Sequence, residues 1–308
     1  MFKKCLKYDL RAFYKVWLIA ASVMLVISLL GGVGTYLFSS AIMRMDSMEN
    51  VDEASFAYVF TILSMFVGML SYIAVIYATA IFAGGTNILL YVRYYTHFFS
   101  DQGYLTFTLP VKRETHFYSK TVSGLVYMLA SSVVAAFAVL CMIGGFLGGF
   151  LIPALRNPEM AADFNFDLSA FTGECGVANV LYVAVLAVLF FILVVAVEFA
   201  SLMTQYLIIT LAATLFRNHK LISVIVAYLG FGALSMVAYF VGYFFIMIYV
   251  MFLAMFLVWG FMALFTVPIL GWLGIYALVL VAACAFGTVG LVFANCSMQR
   301  LERKLNLA

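Results

Sequence analysis

The chain has 308 residues, of which 67% are hydrophobic and 9% charged, with sixteen Lys and Arg against thirteen Asp and Glu. Its mean hydropathy of +1.16 excludes a soluble globule of this length, and a net charge of only +3 gives no reason to expect nucleic acid as a partner. The composition is that of an integral membrane protein.

In chain order, Phe2, Leu6, Leu10, Phe13 and Trp17 recur at helical spacing opposite Lys3, Lys7, Arg11 and Lys15. The pattern predicts an amphipathic helix over 1–15 that lies on the inner leaflet, held by membrane lipids, with contact to a cytoplasmic partner as a compatible second role. A bilayer core about 30 Å thick takes roughly 20 helical residues per crossing, and apolar runs of that length or more stand at about 16–38, 57–82, 121–152 and 179–211. The first run exceeds the 7–15 residues usual for a signal-peptide core, and no small-x-small cleavage site follows it, so it reads as a retained anchor.

From Leu221 to Gln299, 79 residues pass without an Asp, Glu, Lys, Arg or His. Lys220 precedes this stretch and Arg300, Arg303 and Lys304 follow it, so both flanks stay on the basic side and the number of crossings between them is even. Four crossings would use about 80 residues with no turns. Two are therefore expected, at about 221–245 and 272–297, with an apolar insert at 246–270 on the outer side. Trp259 and Trp272 suit headgroup depth, and Gly260, Pro268, Gly271 and Gly274 supply breaks. The insert reads as re-entrant or interfacial; two long tilted helices joined by an apolar turn are the alternative.

Six crossings place fourteen of the sixteen Lys and Arg on one side and only Arg44 and Arg156 on the other. The positive-inside tendency then puts both termini in the cytoplasm, and the plasma membrane is the expected location. The expected fold class is thus an all-α polytopic membrane protein, a single transmembrane domain over 1–308. The outer loops, about 39–56 and 153–178, carry eight acids, which solvate them or, alternatively, form a vestibule attracting cations.

The five cysteines, Cys5, Cys141, Cys175, Cys284 and Cys296, are scattered and imply no intrachain disulfide framework and no metal site. Cys175, alone outside, is either unpaired or bridged to a second copy. There is no G-x-x-x-x-G-K-[ST], H-E-x-x-H or G-x-S-x-G, and His97, His116 and His219 all fall in cytoplasmic segments, so no catalytic residue is expected and the chain does not read as an enzyme. The glycines at 31, 32 and 34 and at 144, 145, 148 and 149 sit in or beside apolar spans and read as sites of close helix packing.

Glu198 is the sole acid inside a crossing and shares a helical face with Ser201 and Gln205. Such a residue faces protein or water rather than lipid. Two roles follow: a hydrogen bond to a neighbouring helix, or a polar contact along a translocation path.

Between spans 2 and 3, over 91–120, lies a polar-aromatic segment. Arg93, His97 and Asp101 fall on one helical stripe with Tyr94, Tyr95, Phe98 and Phe99 elsewhere around the axis, before Gly103 and Pro110 punctuate the chain. An exposed aromatic surface here points to a protein partner; anchoring in the inner leaflet is the alternative.

The run from Phe99 to Val111, with its Asp101-Gln102-Gly103-Tyr104-Leu105 opening, Leu109-Pro110-Val111 close and Lys120 at the entrance to span 3, resembles the coupling-helix region of ABC-2 type exporter permeases, more narrowly those of Gram-positive bacteria. The amphipathic N-terminal helix, the six spans and the outer insert, re-entrant in that family, are similar too. Asp101 stands where Glu is commoner, Tyr104 where Thr often occurs, and the Gly103–Pro110 interval is shorter than in many members.

The resemblance implies a transport subunit in which Asp101, Gln102, Gly103, Tyr104, Leu105, Leu109, Pro110 and Lys120 couple to a separate ATP-binding subunit. ATP and Mg would be bound there and no cofactor by this chain. It further implies a second permease copy or paralogue, since no internal repeat provides both halves of a pathway, and outward movement of an amphipathic or hydrophobic cargo. Two other classes remain open: an ion-coupled secondary transporter, and a non-transporting receptor or immunity scaffold.

Overall fold

Apolar runs in a medium without water must satisfy every backbone N–H and C=O internally, and a helix does so within one segment. The computed structural model describes residues 2–46, 56–100, 113–156, 176–215, 224–226, 229–230 and 268–304, and all regular structure among them is helical. The long elements are α1 (Phe2–Asp46), α2 (Phe56–Phe99), α3 (Arg113–Arg156), α4 (Gly176–Leu215) and α5 (Pro268–Lys304). All five are long and apolar enough to cross a membrane. At 1.5 Å per residue even α5, with 37 residues, is about 55 Å long, well beyond a hydrocarbon core of about 30 Å. The chain is a helical multi-pass membrane protein. The expected crossing at 221–245 and the insert at 246–270 lie outside the described residues, apart from short helical pieces at 224–226 and 229–230; the expected crossing at 272–297 lies within α5.

Contacts group the chain into two compact units. The first joins Phe2–Leu90 to Val122–Ala170 and so contains α1, most of α2 and most of α3. Helix directions follow from the pairs that meet. Trp17 lies beside Phe82, Gly31 faces Val75 and Gly34 faces Ser71, so α1 and α2 are antiparallel. Phe13 meets Tyr127, Gly32 faces Cys141 and Ser39 faces Gly149, so α1 and α3 are parallel.

The predicted interfacial helix over 1–15 has no break from the first crossing: α1 is continuous through it. Part of its apolar stripe packs on protein rather than on lipid. Phe13 is buried and meets the Tyr127 ring edge-on at 4.8 Å, the Tyr127 hydroxyl donates to the Leu10 carbonyl, and the Trp17 ring sits 5.9 Å from Tyr127 and 6.3 Å from Phe82. Ring pairs of this kind contribute about 0.5–1.5 kcal/mol beyond area burial.

Trp17 also begins a polar chain across the three helices. Its indole N–H donates to Ser131 Oγ at 2.9 Å, Ser131 donates to Thr86 Oγ1 at 3.4 Å, and Thr86 donates to the Phe82 carbonyl at 2.9 Å. Each hydroxyl spends its one hydrogen inside the unit, so none of these three side chains offers a polar hydrogen to lipid. Trp17→Phe keeps the ring packing but removes the first donor. The expected loss is about 1 kcal/mol, read as a lower unfolding midpoint in detergent.

Small residues let the α1 and α3 backbones touch. A Cβ on Gly149 would lie 2.6 Å from the Tyr36 carbonyl oxygen, and one on Gly32 would lie 2.9 Å from that of Cys141. Thr35, between them on α1, shares its hydroxyl hydrogen between the carbonyls of Gly32 at 3.0 Å and Met142 at 3.2 Å, tying α1 to α3 where they come closest.

The second unit joins Tyr91–Thr121 to Phe171–Ala308. It holds the end of α2, the start of α3, α4 and α5. Here α4 and α5 pack along each other, with Gly290 so near α4 that a Cβ on it would lie 3.3 Å from the Ala200 Cα.

Candidate functional site

The end of α2 supplies the first half of the candidate site. Tyr94 and Phe98 stand four residues apart, one turn above the other on one face, with rings 4.9 Å apart. The Phe99 ring is 6.3 Å from Tyr94. From the start of α3, Phe117 approaches Tyr94 at 6.5 Å, edge to face. From α4, the Tyr206 ring stacks on Tyr94 at 3.9 Å with 9° between the planes and meets Phe117 at 6.5 Å. Tyr94, Phe98, Phe117 and Tyr206 are each at most 2% exposed.

One hydrogen bond orients this cluster. Thr210 Oγ1 donates to the Tyr206 carbonyl at 2.7 Å, which uses its only hydrogen. The Tyr94 hydroxyl, 2.9 Å away, is therefore the donor to Thr210. Both groups are fully enclosed, and each finds its partner within the cluster.

The aromatic surface expected at the end of α2 is accordingly not an exposed one. Tyr94, Phe98 and Phe99 are buried among α2, α3 and α4, because Phe117 and Tyr206, neither singled out in the sequence, close over them. Arg93 and His97 stand on the last turns of α2, which continues without interruption from the second crossing. Tyr206 and Thr210 are the residues that sequence reasoning missed. Their signal was a Tyr and a Thr at spacing four near the end of a largely apolar helix.

Of the residues expected to couple to a partner, Asp101, Gln102, Gly103, Tyr104, Leu105, Leu109 and Pro110 lie outside the described residues. Lys120 is described: it sits in the second turn of α3 and is buried, with 6% exposure. Ser100, which leads into the 101–112 segment, donates to the Thr96 carbonyl.

Glu198, Ser201 and Gln205 are on α4. Ala200, Leu202, Met203, Tyr206 and Ile209 form its buried side. Phe190 and Phe191 are 60% and 59% exposed, Glu198 is half-buried and Ser201 is exposed. Glu198 lies in the C-terminal half of α4. An ionised side chain at the centre of a crossing costs about 2.5–3.5 kcal/mol by insertion scales. Gln205 Oε1 is buried without a hydrogen-bond partner, as is Thr121 Oγ1 on α3.

The first unit contributes an apolar groove of about 870 Å³, with Thr35, Gly68, Tyr72, Val75, Met142 and Phe146 in its lining. The Thr35 and Thr79 hydroxyls that border it are turned to carbonyls of the helices, so the groove presents hydrocarbon. Among the described residues no group of His, Cys, Asp or Glu is placed to hold a metal ion. Cys5, Cys141, Cys284 and Cys296 are free thiols, and Cys175 lies outside the described residues.

Compared with protein-family models, with curated proteins and with solved structures, the chain finds no match.

Proposed function

We propose that the protein is the permease subunit of an ATP-driven exporter of the ABC-2 type, with ATP hydrolysed by a separate subunit. The observation that carries this reading is that both ends of the 101–112 segment are tied to one buried ring. Phe98 and Phe99 precede the segment and Phe117 follows it, and all three contact Tyr94. Tyr94 is in turn stacked on and hydrogen-bonded to α4. A force applied to the segment therefore reaches three helices together rather than bending one loop, which is what a coupling element requires.

In this reading the gathered ends of α2, α3 and α4 face the cytoplasm, where the basic residues cluster. The N- and C-termini lie on the same side of the plasma membrane, six helices cross it, and 246–270 forms the outer insert. Asp101 to Leu109 dock on the ATP-binding subunit. An amphipathic or hydrophobic cargo, which the apolar groove of the first unit suits, moves outward.

The test is co-purification in mild detergent. An ATP-binding subunit encoded beside this chain is expected to co-elute with it. Gly103→Trp and Leu105→Asp are expected to lower the recovered subunit at least tenfold, about the loss of 1.4 kcal/mol, while leaving the chain's own yield unchanged. Full recovery with both variants would reject the coupling role. Transport that persists without ATP and collapses with the proton gradient would favour a secondary transporter instead.

A further inference from the structure

We infer that the exposed side of the first turns of α1 is a binding site for anionic phospholipid headgroups, engaged most strongly by Arg11 and Lys15. At 3.6 residues per turn, Lys3, Lys4, Lys7, Arg11 and Lys15 fall with Tyr14 within about 120° of the helix circumference, and all six are exposed. Asp9 and Phe13, on the opposite side, are buried. Among the described residues none of the five cations is in an ion pair. Nor can the rest of the chain neutralise them. The segments 1–15, 91–120, 216–223 and 298–308, which the positive-inside tendency gathers on one side, hold fourteen Lys and Arg against four acids, Asp9, Asp101, Glu114 and Glu302. Like charges one turn apart repel, and Lys3 and Lys4 stand in a first turn without an acid, where the helix dipole is itself positive. The stripe therefore draws its counter-charge from outside the chain.

Lipid is the source because of where the stripe stands. The apolar run of the first crossing begins at Val16, so Lys15 marks the edge of the hydrocarbon, and a cluster of roughly four to eight cations directly beside a crossing attracts anionic lipid. The helix does not turn aside to lie on the surface. It is continuous into the crossing, and at this level the Tyr127 hydroxyl on the Leu10 carbonyl and the Phe13–Tyr127 ring contact tie it to α3. The stripe thus rises from the membrane. At 1.5 Å per residue Arg11 is about 6 Å beyond Lys15, Lys7 about 12 Å and Lys3 about 18 Å, whereas a headgroup layer is about 5–8 Å deep and charges act over about 8 Å more before salt screens them. Arg11 and Lys15 stand among the lipid phosphates, Lys7 within their field, and Lys3 and Lys4 beyond it. Arg11 offers a planar fork to two phosphate oxygens. Tyr14, three residues on and 55% exposed, adds a ring and hydroxyl at headgroup depth. A helix lying flat would instead use all five cations alike.

The test is native mass spectrometry of the full chain released from nanodiscs of phosphatidylcholine with phosphatidylglycerol as the minor lipid. The parent is expected to retain phosphatidylglycerol in preference to phosphatidylcholine. Arg11→Gln with Lys15→Gln is expected to lower the retained phosphatidylglycerol roughly thirtyfold, each cation near the surface being worth about a factor of five. Lys3→Gln with Lys4→Gln removes the same charge but is expected to lower it less than about threefold, because screening separates that turn from the phosphates. Equal losses from the two pairs, no loss from the first pair, or equal retention of the two lipids by the parent would each overturn the inference. Displacement of the lipid by glycerol phosphate would also overturn it, making the stripe a site for soluble phosphate. If the first pair fails to accumulate, Arg11→Gln and Lys4→Gln singly carry the same comparison, and equal losses from them overturn it. No readout involves an ATP-binding subunit or transport, so this inference and the permease reading stand or fall separately.

Discussion

Gly145→Leu is expected to destabilise the protein by about 3 kcal/mol or more, at or beyond the upper end of overpacking costs. A Cβ at position 145 would collide with the Gly32 carbonyl oxygen and with Thr35 Oγ1 on α1. The first of these is backbone and cannot turn aside. Separating α1 from α3 to make room would also break the Thr35 bond to the Met142 carbonyl and open the contacts of Gly32 and Gly149. The internal control is its neighbour: a Cβ on Gly144 meets nothing within 4 Å, so Gly144→Leu, with the same gain in volume and apolarity, is expected to stay within about 0.5 kcal/mol of the parent. Thermal unfolding followed by size-exclusion chromatography in detergent separates the two. Equal midpoints for both variants would show that α1 and α3 do not approach as closely as described.

Tyr206→Ala is expected to cost about 3–5 kcal/mol, the usual range for deleting a large buried aromatic side chain. Tyr206 is 2% exposed and touches Tyr94 face to face and Phe117 edge-on. Its loss leaves a cavity under Tyr94 that neither neighbour can fill without leaving its rotamer. Tyr94→Phe is the milder companion. It retains the stack and loses only the donor to Thr210, and Thr210 keeps its bond to the Tyr206 carbonyl, so about 1 kcal/mol is expected. If Tyr94→Phe and Thr210→Val cost the same singly and together, the measured coupling is the hydrogen bond. If their effects simply add, the two hydroxyls act independently and the cluster is held by packing alone. In either case, under the coupling role proposed above, Tyr206→Ala is also expected to lower the recovery of an ATP-binding subunit by loosening Phe98, Phe99 and Phe117 around Tyr94.

The two substitutions mark different degrees of legibility. The glycines at 145 and 149 stand out in the sequence as small residues inside an apolar run, and close packing is the property such residues confer. Which helix they approach was not readable, because a glycine states only that something comes near. Tyr206 shows the opposite case. Little in α4 marks Tyr206 as buried, as the helix is apolar nearly all round and its few polar residues, Glu198, Ser201 and Gln205, do not say which neighbour Tyr206 meets. Phe13 and Trp17 were legible as an apolar stripe on a helix, but an aromatic stripe suits a lipid surface and a protein surface equally well. Tyr127 and Phe82, distant in sequence, decide between them.

What the sequence alone determined is the class of molecule. Long apolar runs with few charges must be membrane-spanning helices, since transfer into hydrocarbon and internal hydrogen bonding are local properties of a segment. The tertiary structure alone decided which sides of those helices meet. It buried Tyr94, Phe98 and Phe99 in a joint with α3 and α4 and left Glu198 half-buried and Ser201 exposed on α4. In a membrane every apolar side chain is equally content against lipid or against protein, so shape and a few hydrogen bonds, rather than hydrophobicity, select the partner.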